Sequence, residues 1–151
     1  ARAIRGRDRT IRTGGRGPLE VSRYCLDTSA YGHFRRGDPP VVELMDAAEW
    51  IGLPAIAMGE LRTGFLLGGR AEENEAELRE FLDNPVVVEL PVEGEVSRHF
   101  AEIVVELRRS GAPLPSNDLW IAATAARHGA LVLTYDRHFE RISRVGSIVL
   151  G

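Results

Sequence analysis

The chain has 151 residues, of which 44% are hydrophobic and 27% charged, with a formal net charge of −3. This length is typical of one α/β domain, and no apolar run approaches the length of a membrane span. The single cysteine, Cys25, excludes an intrachain disulfide and a thiolate metal site, so we expect a cytoplasmic protein without a membrane segment.

Positive charge is concentrated at the start of the chain. Residues 1–23 contain seven arginines against Asp8 and Glu20, a net charge of +5 that leaves −8 for the remainder. The segment is rich in Gly and Arg and lacks the apolar core of a signal peptide. It is interpreted as a tag remnant or misassigned start, as a flexible disordered extension, or as a basic arm that contacts nucleic acid. We expect the folded domain to comprise residues 24–151.

The folded part begins with a short apolar run. Residues 24–26 predict a strand that ends at Asp27. Thr28 or Ser29 is expected to cap the helix that follows.

The next segments contain a second candidate acid. Prolines 39–40 break the chain, and residues 41–50 place apolar side chains at helical spacing. The apolar run 53–58 is typical of a second strand, and residues 60–67 predict a helix that Gly68 ends. Glu60 is therefore expected at a strand-to-helix junction.

The second half of the domain contains two further acids, Asp118 and Asp136. Asp118 lies in the N-cap region or first turn of a predicted helix, and Asp136 follows a predicted strand. The patterns predict, in order, a helix over 70–82, a strand over 86–90, a helix over 93–109, a helix over 119–128, a strand over 131–134, a helical turn over 139–142 and a strand over 147–150.

This order predicts an α/β/α architecture, with a mostly parallel central sheet of four to five strands flanked by helices. Ligands of such sheets bind beyond the carboxyl ends of the strands. Asp27, Glu60 and Asp136 are expected just after strand ends, and Asp118 begins a helix that could face the same edge. We therefore expect the four acids to converge.

Four carboxylates in one pocket repel one another unless cations lie between them. Oxygen ligands favour hard ions, so Mg²⁺ or Mn²⁺ is expected, and a pair of such ions about 4 Å apart can drive phosphodiester hydrolysis. Each acid alone also has a structural explanation. It can be a solvated surface charge, and Asp118 can be a helix-start acid and Asp136 a turn former.

Four segments carry a family resemblance. They are Leu-Asp-Thr-Ser at 26–29, Met-Gly-Glu-Leu at 58–61, Pro-Ser-Asn-Asp at 115–118 with Ile-Ala-Ala-Thr-Ala at 121–125, and Leu-Thr-Tyr-Asp at 133–136 with Phe139. In this order they resemble the motifs of PIN-domain toxins of the VapC type, and the resemblance covers residues 24–151.

The resemblance implies a Mg²⁺- or Mn²⁺-dependent endoribonuclease. Such toxins cleave RNA, often transfer RNA, are neutralised by a small VapB-type antitoxin, and are typically homodimers. By the same resemblance Asp27, Glu60, Asp118 and Asp136 are the metal-binding and catalytic acids. Thr134 and Asn117 are implied to support them.

Several other side chains near the motifs have two interpretations. Arg62 and Arg137 could contact RNA phosphate, or could equally be salt-bridge partners of acids. His138 could act in proton transfer, although a loop histidine is the plainer interpretation. The apolar residues 65–67 fit a groove for an antitoxin helix, a dimer contact or ordinary core packing.

Two other functions are compatible with the sequence. One is a housekeeping PIN-domain nuclease that processes RNA, which the absence of an antitoxin-sized reading frame just upstream would favour. The other is a non-enzymatic α/β module that binds a metal or a nucleotide and acts through protein contacts.

Overall fold

The computed structural model describes residues 22–151, so the predicted extension lies almost entirely outside the described residues. Within them, five strands form one fully parallel sheet. In chain order they are β1 Arg23–Leu26, β2 Trp50–Pro54, β3 Val87–Leu90, β4 Leu131–Thr134 and β5 Ser147–Val149. Their order across the sheet is β3-β2-β1-β4-β5. The expected α/β/α architecture is confirmed.

Helices connect the strands and flank the sheet. In chain order they are α1 Thr28–Arg35, α2 Pro39–Ala47, α3 Ala55–Leu67, α4 Ala71–Leu82, α5 Gly94–Ser110 and α6 Ser116–Arg127, followed by a 3-10 turn at Arg137–Arg141. Gly111 ends α5 in the left-handed region at φ 71°, which glycine adopts without strain. Over residues 22–151, no helix is long and apolar enough to cross a membrane.

The core lies around the central strand. β1 is covered on both edges by β2 and β4, and Cys25 and Leu26 are fully buried. Phe34 from α1 and Phe139 from the 3-10 turn are also fully buried. A parallel strand buried in this way needs an apolar run rather than an alternating one, as the sequence has here.

The second strand and the helix after it differ from the prediction. β2 comprises Trp50–Pro54, and α3 begins at Ala55. An apolar run of six residues suits a buried strand or a buried helix equally, so its pattern could not decide. Strand pairing decides it, because Trp50 lies opposite Arg23 of β1 and Pro54, opposite the end of β3, is the last paired residue. The expected strand-to-helix junction at Glu60 is therefore wrong, and Glu60 lies in the second turn of α3.

Two helix starts also differ from the prediction. The cap of α1 is Asp27 rather than Thr28 or Ser29, since its carboxylate accepts the Ala30 N–H at 2.8 Å. Pro39 does not only break the chain, because it is the first residue of α2. Proline fits that position well, since the first helical N–H has no partner in the helix.

Candidate active site

Asp27 lies at the carboxyl end of the central strand and is only 5% exposed. Its Oδ1 accepts the Ala30 N–H at 2.8 Å and the Ser29 hydroxyl at 2.7 Å, and its Oδ2 accepts the Thr134 hydroxyl at 2.5 Å. Burial raises the pKa of Asp27, the three hydrogen bonds oppose that rise, and the charge of Asp136 adds to it. Burial therefore disfavours the charged form of Asp27, while three hydrogen bonds hold its carboxylate in one position.

Thr134 connects Asp27 with Asp136. Its fully buried hydroxyl donates to Asp27 and accepts the Asp136 N–H at 2.9 Å. The Asp136 carboxylate accepts the His138 N–H at 2.9 Å and so begins the 3-10 turn. The end of β4 is thereby held against the end of β1 at the sheet edge where the strands terminate.

Glu60 reaches the same edge from α3. Its Oε1 accepts the hydroxyl of Thr28, the first residue of α1, at 2.8 Å. This hydrogen bond joins the first turn of α1 to the second turn of α3, and these two helices follow the neighbouring strands β1 and β2.

Asp118 lies in the first turn of α6 and is half-buried. Burial raises the pKa of Asp118, and so do the negative charges of Asp136, Asp27 and, least, Glu60, while His138 lowers it. All three other predicted acids therefore lie close enough to act on Asp118. Of the four predicted acids, Asp118 and Asp136 offer carboxylate oxygens within 4.8 Å of each other, and Asp27 and Glu60 act on Asp118 through their charges.

His138, for which a loop histidine was the plainer interpretation, lies directly beside two of these acids. Its Nδ1 is 3.3 Å from Asp136 Oδ1 and 3.7 Å from Asp118 Oδ2. One ligand atom of each of the three residues lies within 4.8 Å of the others. His138 follows Asp136 by two residues in a tight turn, and this spacing could have indicated that its ring lies beside the acids.

The three other residues predicted to support the site or bind RNA are Arg62, Arg137 and Asn117. Arg62 forms a forked ion pair with Glu75 of α4, with its Nη2 2.8 Å and its Nε 3.2 Å from the carboxylate. The salt-bridge interpretation therefore describes its contacts here. Arg137 is exposed next to Asp136, and Asn117 is exposed in the first turn of α6.

Comparison with known proteins gives the family. The PIN domain model matches residues 24–145. The chain is also 31% identical over 134 residues to Ribonuclease VapC4 of Mycobacterium tuberculosis, covering 87% of this chain and 100% of that protein. The chain belongs to the VapC branch of the PIN-domain family.

Solved structures agree with this assignment. The VapC-type chain matches the VapBC-5 toxin-antitoxin structure from Mycobacterium tuberculosis with a TM-score of 0.66 and 26% identity, covering 85% of this chain and 99% of that one. It shares the fold of VapBC2 from Rickettsia felis, solved bound to a promoter DNA fragment, with a TM-score of 0.75, 23% identity and coverage of 85% and 99%.

The donor set of this VapC-type domain fits a divalent cation. Carboxylate oxygens are the ligands that hard divalent ions prefer, and here mutual repulsion already acts on Asp118. In addition, Nδ1 of His138 is shielded from solvent and makes no hydrogen bond with any residue from 22 to 151. A cation among these groups would offset the repulsion and face that nitrogen.

Proposed function

We propose that this chain is a metal-dependent endoribonuclease, the toxin of a VapBC-type toxin-antitoxin pair. The observation that supports this best is the convergence of Asp27, Glu60, Asp118 and Asp136 at the carboxyl edge of the sheet. The relatives with which it shares most of its length are named VapC ribonucleases.

In this proposal the four carboxylates hold Mg²⁺ or Mn²⁺. When bound, such an ion activates water and neutralises charge on the scissile phosphodiester. Thr28 orients Glu60, and Thr134 orients both Asp27 and the backbone of Asp136, so that the oxygens stay in place before the ion arrives. Together these contacts preorganise an anionic pocket, and binding of the ion relieves its internal repulsion.

Arg137 is our candidate for contact with an RNA phosphate. It is exposed and adjacent to Asp136, and an acidic protein needs local cations to hold a polyanion. Arg62 would have to exchange Glu75 for phosphate, so we expect a smaller contribution from it. Replacing Arg137 with Ala should raise KM for RNA more than it lowers kcat. Arg141, exposed at the end of the same turn, provides the matched control.

A groove between α3 and α4 is our candidate for the antitoxin site. It has a volume of about 810 Å³ and is lined by Phe65 and Leu66 together with charged side chains of both helices. Leu66 is 79% exposed, so a partner that covers it would bury apolar surface and gain binding free energy. Such a lining suits the apolar face and charged rim of an amphipathic helix.

The test of the groove is capture of the VapB-type protein encoded next to the gene. Leu66→Asp should reduce its co-purification at least tenfold. Val105→Asp provides the control, because Val105 is also exposed, at 44%, but lies on α5. Equal capture by both variants would show that the antitoxin binds elsewhere on the domain.

The expected homodimer is part of this proposal. Light scattering coupled to size-exclusion chromatography, with and without the antitoxin, measures the oligomeric state directly. A monomer in both conditions would remove the homodimer from the proposal and leave the nuclease activity untouched.

The experiment that tests the activity is incubation of the purified protein with total cellular RNA, with Mg²⁺, with Mn²⁺ and with chelator. Discrete cleavage should need a metal and should be lost in Asp27→Asn. Glu140→Gln provides the control, because Glu140 is an exposed acid in the neighbouring 3-10 turn. Cleavage that persists in chelator, or in Asp27→Asn, would refute the proposal. Neutralisation by the adjacent antitoxin separates a toxin from a housekeeping nuclease.

A further inference from the structure

The imidazole of His138 lies in an unusual setting for a histidine at the protein surface. Nearly half of its side chain is exposed, at 45%, yet Nδ1 itself is shielded from solvent. This nitrogen lies 3.3 Å from one carboxylate oxygen of Asp136 and 3.7 Å from one of Asp118. It forms no hydrogen bond of acceptable geometry with any described residue, 22–151.

A lone pair on nitrogen that faces two carboxylate oxygens is repulsive unless a positive species lies between them. That species is either a proton on the imidazole or a metal cation. The Asp136 oxygen nearest the ring accepts the His138 backbone N–H at 2.9 Å, and its 3.3 Å contact with Nδ1 lacks the geometry of a hydrogen bond. This arrangement leaves the ring aimed at the space that the two carboxylates share.

The spacing of the three groups suits a shared ion. Ligands of one divalent cation lie about 2.0–2.2 Å from it, so two of them are at most about 4.4 Å apart. The three candidate atoms lie within 4.8 Å of one another, which a small side-chain rotation brings into this range.

We propose that Nδ1 of His138 is a third protein ligand of the divalent cation, beside Asp118 and Asp136. This inference rests on the proposed metal-dependent function and adds a nitrogen donor to a site otherwise built from oxygen. Mg²⁺ is held by carboxylates, water and phosphate oxygens, whereas Mn²⁺ is a first-row transition-metal ion that also accepts nitrogen ligands. The site is therefore tuned toward Mn²⁺.

The direct test is pulsed electron paramagnetic resonance of Mn²⁺ bound to the full-length protein. A coordinated imidazole produces a ¹⁴N modulation that carboxylate and water oxygens do not. The wild-type protein should show this modulation, and His138→Gln should lose it. His33→Gln provides the control, because Nδ1 of His33 contacts Asp38 and its ring stacks on Tyr135, so this change should leave the modulation as it is.

Binding measurements give a second readout that does not depend on RNA cleavage. His138→Gln should weaken Mn²⁺ binding at least about tenfold, with a smaller change for Mg²⁺. The backbone N–H that caps the 3-10 turn is retained in this variant, and a thermal unfolding curve in chelator checks that the fold is intact.

The outcomes separate the two proposals. Bound Mn²⁺ without ¹⁴N modulation in the wild-type protein would overturn the role of His138 and leave the carboxylate centre standing. Modulation that persists in His138→Gln would assign the nitrogen to another residue and also overturn this role. Absence of any Mn²⁺ binding by the wild-type protein would overturn the metal centre and the His138 ligand together.

Discussion

Replacing Thr134 with Val should destabilise the folded protein, because it removes the hydroxyl that connects Asp27 with Asp136. The Thr and Val side chains have nearly the same shape, so the change removes the hydroxyl without opening a cavity. Asp27 then loses a 2.5 Å donor, and the Asp136 N–H loses its 2.9 Å acceptor. A hydrogen bond to a charged group contributes about 1.5–3 kcal/mol, and an unpaired buried donor costs about 1–3 kcal/mol. Because the Asp136 N–H is only part-buried, its contribution falls at the low end of that range, and we expect a total loss of roughly 2.5–4 kcal/mol at neutral pH.

The loss should depend on pH in a defined direction. The Thr134 hydrogen bond lowers the pKa of Asp27, although burial keeps that pKa raised in the folded state. Removing the bond raises the folded pKa further above the unfolded value. Stability that comes from a raised pKa is lost as pH rises through that pKa. The deficit of the variant should therefore be largest at neutral pH and shrink in acid, where Asp27 is protonated in both proteins.

The assay is urea unfolding in the presence of chelator at neutral and acidic pH. Thr134→Ser keeps the hydroxyl and should retain most of the stability. Thr124→Val is the matched control, because Thr124 is also fully buried but its hydroxyl donates only to the Trp120 carbonyl within α6, at 2.8 Å. We expect that control to lose less than about 1 kcal/mol. Equal losses at both positions, with no pH dependence, would refute the reasoning.

Three further predictions concern other parts of the site and the sheet. Thr28→Val removes the donor to Glu60 and should lower RNA cleavage about tenfold, whereas Thr28→Ser should restore it. Asp118→Asn should raise the free energy of unfolding in chelator by about 1 kcal/mol, because it removes a half-buried charge beside like charges. A lower melting temperature in chelator would contradict this. Gly52→Ala places a Cβ 2.4 Å from Cδ1 of the buried Leu90. This overpacking should lower the free energy of unfolding, measured in urea, by about 1–3 kcal/mol. An unchanged unfolding midpoint would contradict the prediction.

Three of the four acids could be located from local sequence patterns. Asp27 and Asp136 end short apolar runs, and Asp118 begins an alanine-rich helix after a proline-rich connector. Parallel strands share one carboxyl edge, so these local assignments were enough to predict that the acids converge. The roles of the acids in binding metal and in catalysis remain predictions for the experiments above.

The path of the chain around Glu60 could not be predicted in this way. Its apolar run has no period that separates a buried strand from a buried helix, and the strand is fixed by pairing with Arg23, far away in sequence. Glu60 nevertheless reaches the site, because α3 begins at the same edge and Thr28 binds its carboxylate. Capping of α1 by Asp27 was missed for a different reason, since one carboxylate serves the cap and the site at once.

The order of strands has a consequence for synthesis of the protein. β1 is made first but lies at the centre of the sheet, and the Thr134 hydroxyl that holds Asp27 comes 107 residues later. A growing chain that ends before Leu131 therefore has an open edge on β1 and lacks Asp136 altogether. Any cleavage that the acid cluster supports therefore requires synthesis to have passed Asp136, and products that end earlier lack part of the proposed site.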